Sequence, residues 1–403
     1  MMRNLHCEVT GERTYWEDDE LQAWRLDFDQ ISTLKRISVG TFVEVWRSTY
    51  RADSVAVKKL KPSMRLLYHR HPEMVDASVL DDFIFEIRVL ARLNHPRIVA
   101  FYGAAWTSDS DIVAVMEYMP QQDLRAFLTH QRRQSQRQGQ NSVNDTWSVE
   151  LVHMALCVAE ALTCLHSLEP AIIHGNVQAK NVLLDEHMDS KLCDFGSAQY
   201  CSIPASFFDS HSTKECDESL SSANGMIVMP NFRADATAWI APEVLRSRAV
   251  CDPSIDMYAF GVLLSEIDTR ELPYADTREN IGNGEAVPPT DAFIRHQVAL
   301  NTLRPSFLPT CPPSILTLAT KCLAHDPGER PTSAEAACAL REILADMERE
   351  SLVSSASSDK FVSHPTQLVA MTSTDSSVSD SDMSQRTIEL KQYVSMPCWR
   401  WSE

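Results

Sequence analysis

The chain has 403 residues, 44% of them hydrophobic, with 37 Lys+Arg against 55 Asp+Glu and a formal net charge of −18. That length allows two or three core-forming units, and the apolar fraction belongs to a folded protein rather than a disordered one. The acidic balance argues against a nucleic-acid binder, which carries net positive charge, although one local cluster of cations or a bound metal suffices for a small polyphosphate.

Residues 1–30 are acidic and aromatic, and the spacing of Leu21, Trp24 and Phe28 predicts a short amphipathic segment that docks on the folded unit C-terminal to it. From 31 to 60 the texture is alternating and β-branched, with a turn at 49–53, which predicts a hairpin. A helical period takes over at 81–94, where Phe83, Ile87, Leu90 and Leu93 share a stripe and Asp81 and Asp82 sit at the favourable end of the dipole. Strands come next at 98–102 and 112–118. After Pro120 the pattern is helical, with a stripe of Leu151, Ala155, Val158, Leu162 and Leu165, a wholly apolar helix at 255–267, and further helices at 313–322 and 334–347. Two inserts, 131–144 and 197–231, interrupt it, and the Ser-rich stretch past Glu348 reads as a disordered tail. The order predicts two lobes, β-rich then helical, with a ligand cleft between them.

The longest apolar stretches, 112–119 and 258–267, are far shorter than the ~20 residues of a membrane span. The start Met1-Met2-Arg3-Asn4-Leu5-His6 lacks the apolar core of a secretory signal. Eleven cysteines without a CxxC pair fit free thiols in a reducing compartment, so the expected location is cytoplasmic.

Chemistry concentrates at a few points. Val55-Ala56-Val57-Lys58 puts a lysine at the end of an apolar strand, and Glu86, on the core side of the next helix, needs a cation such as Lys58. The strand Leu192-Cys193-Asp194-Phe195-Gly196 ends on a carboxylate at a turn. With Asn181 it supplies hard oxygen donors suited to Mg2+ on phosphates.

These residues, with Met116-Glu117-Tyr118-Met119, Trp239-Ile240-Ala241-Pro242-Glu243, Asp256-Met257-Tyr258-Ala259-Phe260-Gly261, Asp326-Pro327 and Arg330-Pro331, resemble the protein kinases, and within them the tyrosine-kinase-like serine/threonine group. The resemblance implies an α+β bilobal fold over 31–347: an N-lobe at 31–116, a hinge at 117–121 and a C-lobe at 122–347, between the extension 1–30 and the tail 348–403. It implies ATP and Mg2+ as cofactors. The nucleotide contacts would be Gly40, Val45, Ala56, Lys58, Glu86, Met116, Glu117, Met119, Asp123, Asn181, Leu184 and Asp194, with Asn181 and Asp194 on the metal. It further implies that Glu243 pairs with Arg330 and that Asp256 anchors the catalytic loop. His174, Phe195 and Leu90 would form the internal spine.

The departures from the family pattern are specific. The catalytic loop reads His174-Gly175-Asn176-Val177-Gln178-Ala179-Lys180-Asn181, so the family's proton-accepting Asp is Asn176 and its loop lysine is Gln178. A carboxamide orients a hydroxyl but takes no proton, and general-base catalysis is worth ~10²–10⁴-fold. Gly175 stands where an arginine would bind an activation-loop phosphate. In the phosphate-covering loop Ser38-Val39-Gly40-Thr41-Phe42-Val43-Glu44-Val45 only Gly40 survives, and Glu44 is read as a negative charge on that loop. Ala236 occupies the usual threonine position before Trp239, which weakens peptide docking.

The expected function is a pseudokinase that binds Mg-ATP and regulates or scaffolds a protein partner or an active kinase. The alternatives are a slow serine/threonine kinase and a nucleotide-independent interaction module. No nucleic-acid partner is expected. Cys193 is read as a core thiol. Arg132, Arg133 and Arg137 are read as solvated loop residues, and Ser210, Ser212, Thr213, Ser219, Ser221 and Ser222 as members of a disordered insertion.

Overall fold

The computed structural model describes residues 19–64, 78–107, 111–137, 147–201, 234–247, 252–280 and 286–358. Residues 1–18 of the N-terminal extension, most of the 197–231 insert, the second half of the 131–144 insert and the tail beyond Ser358 fall outside the described residues. The chain divides into two compact units, Met1–Asn94 with Val99–Met119, and His95–Ile98 with Pro120–Glu403.

The first unit contains α1 (Asp19–Gln22), β1 (Ile31–Val39), β2 (Val43–Tyr50), β3 (Asp53–Leu60), α2 (Ser78–Ala91), β4 (Phe101–Ala105) and β5 (Val113–Glu117). The strands form one antiparallel sheet in the order β1-β2-β3-β5-β4. The predicted turn at 49–53 narrows to Arg51 and Ala52, both at positive φ (49° and 76°), because a two-residue hairpin must match the strand twist. Strand period two puts Tyr50, Val55, Val57, Val113 and Val115 in a core cluster with Ala105, covered by Leu26, Phe28, Ile31 and Tyr102.

The predicted strand at 98–102 begins later, at Phe101, and Ile98 instead bridges Leu192 within the second unit. Local pattern cannot choose between sheet partners for so short an apolar run.

The expected docking of the N-terminal segment is present and takes the form of strand addition. Leu26 N–H donates to Ala104 O (2.8 Å) and Ala104 N–H to Trp24 O (2.9 Å). Leu21 is buried, and the Trp24 ring lies 5.4 Å from Phe101. Gly103 permits this approach: a Cβ there would meet Trp24 O at 2.4 Å, and its φ of 150° accompanies the bulge between Phe101 and Gly103.

In the second unit come α3 (Leu124–Arg137), α4 (Val149–His166), β6 (Ile172–Ile173), β7 (Val182–Leu184), β8 (Ser190–Leu192), β9 (Gln199–Tyr200), α5 (Pro242–Ser247), α6 (Ser254–Thr269), β10 (Glu279–Asn280), β11 (Ala286–Val287), α7 (Asp291–Ala299), α8 (Pro313–Cys322) and α9 (Ser333–Ser358). Helix α4 starts at Ser148, whose side chain accepts from Leu151 N–H, and buries the whole predicted stripe. It is long and apolar enough to cross a membrane by length and composition, yet most of it is buried inside this unit, as in a core helix. Helix α6 is buried from Ile255 to Asp268, as its apolar composition predicted.

Two predicted boundaries differ. Residues 131–137, read as the start of a loop insert, are the last turns of α3, and Arg132 pairs with Glu271. The Gln and Arg residues there are good helix formers, and polarity alone does not end a helix. The last helix was expected to stop at Met347 but runs to Ser358. A capping box starts it: Glu335 N–H donates to Thr332 Oγ1 (3.2 Å) and Thr332 N–H to Glu335 Oε2 (2.7 Å). Composition past Glu348 reports on burial, not on helix propensity.

Candidate functional site

The first unit carries one half of the predicted constellation. Lys58 Nζ lies 2.5 Å from Glu86 Oε1, both side chains almost fully buried. Lys58 sits on β3 with β2 and β5 on either side, opposite Val45 and Ala114, and Ala56 stands opposite Met116. Cross-strand partners share a face, so Val45, Ala56, Lys58 and Met116 line one side of the sheet, opposite the Val55–Val57–Val115 core. Gly40 N–H donates to Val43 O (2.8 Å), closing the tip of the β1–β2 turn.

Glu44 requires a correction. It is buried and sits between Arg36 (3.7 Å) and Lys59 (3.8 Å). Strand alternation turns it to the face opposite Val45 and Lys58, so its charge is neutralised locally and does not oppose phosphate on the Lys58 side. In the stretch read as the hinge, Glu117 N–H donates to Ala100 O (2.9 Å) and its carboxylate accepts from Ala100 N–H (3.2 Å). Met119 is buried.

The second unit carries the other half. Asp256 is fully buried on α6 and accepts from the backbone N–H of His174 (2.7 Å) and Gly175 (2.8 Å) and from His166 Nε2 (3.0 Å). Burial alone would raise its pKa. The hydrogen bonds from His166 and from the His174 amide outweigh that and hold it below the usual carboxylate value. Burial pushes His174 down, so its ring is neutral. Its Nδ1 accepts from Asn176 N–H (3.3 Å), which leaves Nε2–H to donate to Cys193 O (3.1 Å). The ring meets Phe195 edge-on with centroids 4.9 Å apart, as the spine resemblance implied. Arg330 makes a bidentate pair with Glu243 at 2.7 Å on each arm.

Around this anchor the catalytic-loop residues converge. Asn176 is buried; its Oδ1 accepts from Gln178 Nε2, and its Nδ2 points to Asp194 Oδ2 at 3.4 Å. Asn181 Nδ2 donates to Asn176 O (2.8 Å), leaving Asn181 Oδ1 as the acceptor end of that amide. Thus Asn181 and Asp194 gather about Asn176, and their hard oxygens fit a magnesium ion with its phosphates. Gly175, at φ 70°, has no room for a side chain in this arrangement: a Cβ would meet Ser197 O at 2.6 Å.

Asp123 and Leu184 lie beside one another, since Asp123 bridges Leu183 and Leu184 N–H donates to Gln122 O (2.9 Å). Asp123 also caps α3 by accepting from Ala126 N–H (2.8 Å), and burial raises its pKa.

Sequence reasoning missed Glu266. It is fully buried on α6 and accepts from Arg125 Nη2 (2.7 Å), Trp239 Nε1 (2.8 Å) and Ala179 N–H (3.1 Å), which ties the catalytic loop to Trp239 and to α3. Burial raises its pKa against those donors. The signal was available: an acid inside a wholly apolar helix needs buried partners.

Comparison with known proteins agrees with this geometry. The protein kinase domain family matches residues 31–340. The chain is 29% identical over 307 residues to "Probable serine/threonine-protein kinase drkA" of Dictyostelium discoideum, covering 76% of this chain and 39% of that protein. It is 26% identical over 329 residues to serine/threonine-protein kinase STY17 of Arabidopsis thaliana, covering 82% and 47%. With the dual specificity protein kinase shkC of Dictyostelium discoideum it shares 27% over 327 residues, covering 81% and 53%. The chain therefore spans roughly half or less of the length of these relatives. With a five-stranded unit followed by a helical one, and with the Lys58–Glu86 pair, the Asp256 anchor and the Glu243–Arg330 brace each in place, the chain belongs to the protein kinase domain family.

Proposed function

We propose that this chain is a pseudokinase of the tyrosine-kinase-like group, which binds Mg-ATP and acts through a protein partner, such as an active kinase, rather than by rapid phosphoryl transfer. The observation that carries this reading is the Asn176–Gln178 amide pair. Asn176 Oδ1, at the position of the family's proton acceptor, is an uncharged oxygen already engaged by Gln178 Nε2. A substrate hydroxyl has no carboxylate there to receive its proton, and the cation that would neutralise the transferring phosphoryl group is an amide. Nucleotide binding is supported separately by the buried Lys58–Glu86 pair and by the Asn181 and Asp194 oxygens. Asn181 and Asp194 would hold a magnesium ion, which would supply charge neutralisation to the phosphates; Lys58 would offer its ammonium to the phosphates, and the Val45–Ala56–Met116 face would offer an apolar wall to the base.

The cysteine pattern supports a cytoplasmic setting. The intact Lys58–Glu86 pair also favours a second reading, a slow serine/threonine kinase. The two separate by measuring Mg2+-dependent ATP binding by thermal shift and phosphotransfer in the natural chain and in Asn176→Asp/Gln178→Lys. The pseudokinase reading expects binding in both and transfer ~10²–10⁴-fold greater in the double variant. Brisk transfer by the natural chain, abolished by Lys58→Met, establishes the kinase. No shift with nucleotide leaves an interaction module.

A further inference from the structure

A second cluster of chemically capable side chains lies away from the catalytic loop. His153 and Cys157 are one turn apart on α4 and so project from the same face. Asp189, in the turn immediately before β8, faces them. His153 Nδ1 is 3.6 Å from Asp189 Oδ1, Cys157 Sγ is 3.9 Å from both His153 ring nitrogens, and one donor atom from each residue lies within 4.8 Å of the others. Tetrahedral zinc, with bonds of ~2.0–2.3 Å, separates its ligand atoms by about 3.3–3.6 Å, so small side-chain adjustments complete the geometry.

The backbone that presents these groups is fixed. Asp189 N–H donates to Asp185 Oδ1 (2.9 Å), Asp185 N–H donates to Asp189 O (3.0 Å), and Ser190 Oγ donates to Met154 O (3.0 Å), which binds the turn to the middle of α4. The charges also close. Arg97 contacts Asp189 at 3.4 Å but has Glu160 as a second partner at 3.3 Å, so it remains paired if Asp189 turns to a cation. A thiolate and a carboxylate together neutralise a divalent ion. His153 and Asp189 are partly exposed, which gives solvent access, while the Cys157 thiol lies buried.

We propose that His153, Cys157 and Asp189 form a site for a divalent transition-metal ion of zinc type, with water as the fourth ligand. The mixed nitrogen, sulfur and oxygen donor set selects zinc over magnesium, which takes oxygen donors alone. Burial holds the Cys157 thiol protonated, so binding forms the metal–sulfur bond and releases the thiol proton to solvent. The ion braces α4 against the β7–β8 hairpin, whose second strand ends at Leu192, two residues before Asp194. This inference is independent of whether the chain transfers phosphate.

The test uses the full chain, with Co2+ as a spectroscopic probe and Zn2+ in competition with a chromophoric chelator. One ion per chain is expected, with a thiolate-to-cobalt charge-transfer band that disappears in Cys157→Ser. Zn2+ affinity should fall at least about tenfold in His153→Ala and Asp189→Asn, and should not change in Cys338→Ser, an exposed thiol elsewhere. Melting curves without metal establish that each variant is folded, and Zn2+ should raise the melting temperature of the natural chain but not of Cys157→Ser. Absence of the band, or a band that survives in folded Cys157→Ser, overturns the proposal.

Discussion

Lys58 and Glu86 are each about 95% shielded from solvent and 2.5 Å apart, so removing either one takes a counter-ion away from a charge buried in the core. Lys58→Ala is expected to cost about 3–5 kcal/mol, whereas Lys58→Met/Glu86→Leu recovers most of that loss while abolishing any nucleotide-induced thermal shift. Urea unfolding of the two single variants and the double variant measures the cycle; equal losses in all three would refute the buried-charge account. Gly175 makes a different residue-scale prediction. At its φ of 70° a side chain is strained, and its Cβ would approach Ser197 O to 2.6 Å, so Gly175→Arg distorts the loop. The melting temperature should fall by the equivalent of about 1–3 kcal/mol, so restoring the family's arginine does not come without local rearrangement.

Among the elements, the docked N-terminal segment has the clearest energetic consequence. Leu21 is 1% exposed, and the backbone of Trp24 and Leu26 pairs with Ala104 on the sheet edge. Leu21→Ala is expected to destabilise by about 2–4 kcal/mol, and deletion of residues 1–28 by at least as much, since it also exposes the β4 edge. An unchanged melting temperature after deletion would sink the docking account. Periodicity predicted the helix around Phe83, Ile87 and Leu90, the hairpin at 31–60 and the buried helices α4 and α6 because each hides one face or all of itself. It did not give the strand addition at Ala104, since that pairing depends on Gly103 and on backbone hydrogen bonds, which no side-chain period records.

For the whole molecule, stability against pH follows from the buried titratable groups. Burial lowers the pKa of His174 below 6.5, so the unfolded chain takes up a proton that the folded chain refuses as pH falls below that value. Asp256, held below its ordinary 3.8, adds a loss at lower pH, as the solution passes through its depressed folded value. Glu266 acts in the opposite sense: its raised pKa withdraws stability as pH rises from 4.5 through the folded value. Folding stability should therefore fall on acidification from pH 7 to 5, and His174→Gln should reduce that slope by at most one proton, about 1.4 kcal/mol per pH unit. Denaturant titrations at several pH values measure both slopes; an unchanged slope in the folded variant would show that His174 is not the titrating group.

By itself the sequence determined the order of the two units and the Lys58–Glu86 requirement, because each is written in residue type and spacing; that Asn176 stands at the family's proton-acceptor position is what the family resemblance implies. Only the tertiary structure decided that Glu44 turns away from the Lys58 face, that Gln178 occupies the Asn176 oxygen, that Glu266 gathers three donors, and that His153, Cys157 and Asp189 meet. Those outcomes depend on strand register and on contacts between distant segments. Side-chain chemistry is local, but the partner that satisfies each buried group is selected by packing.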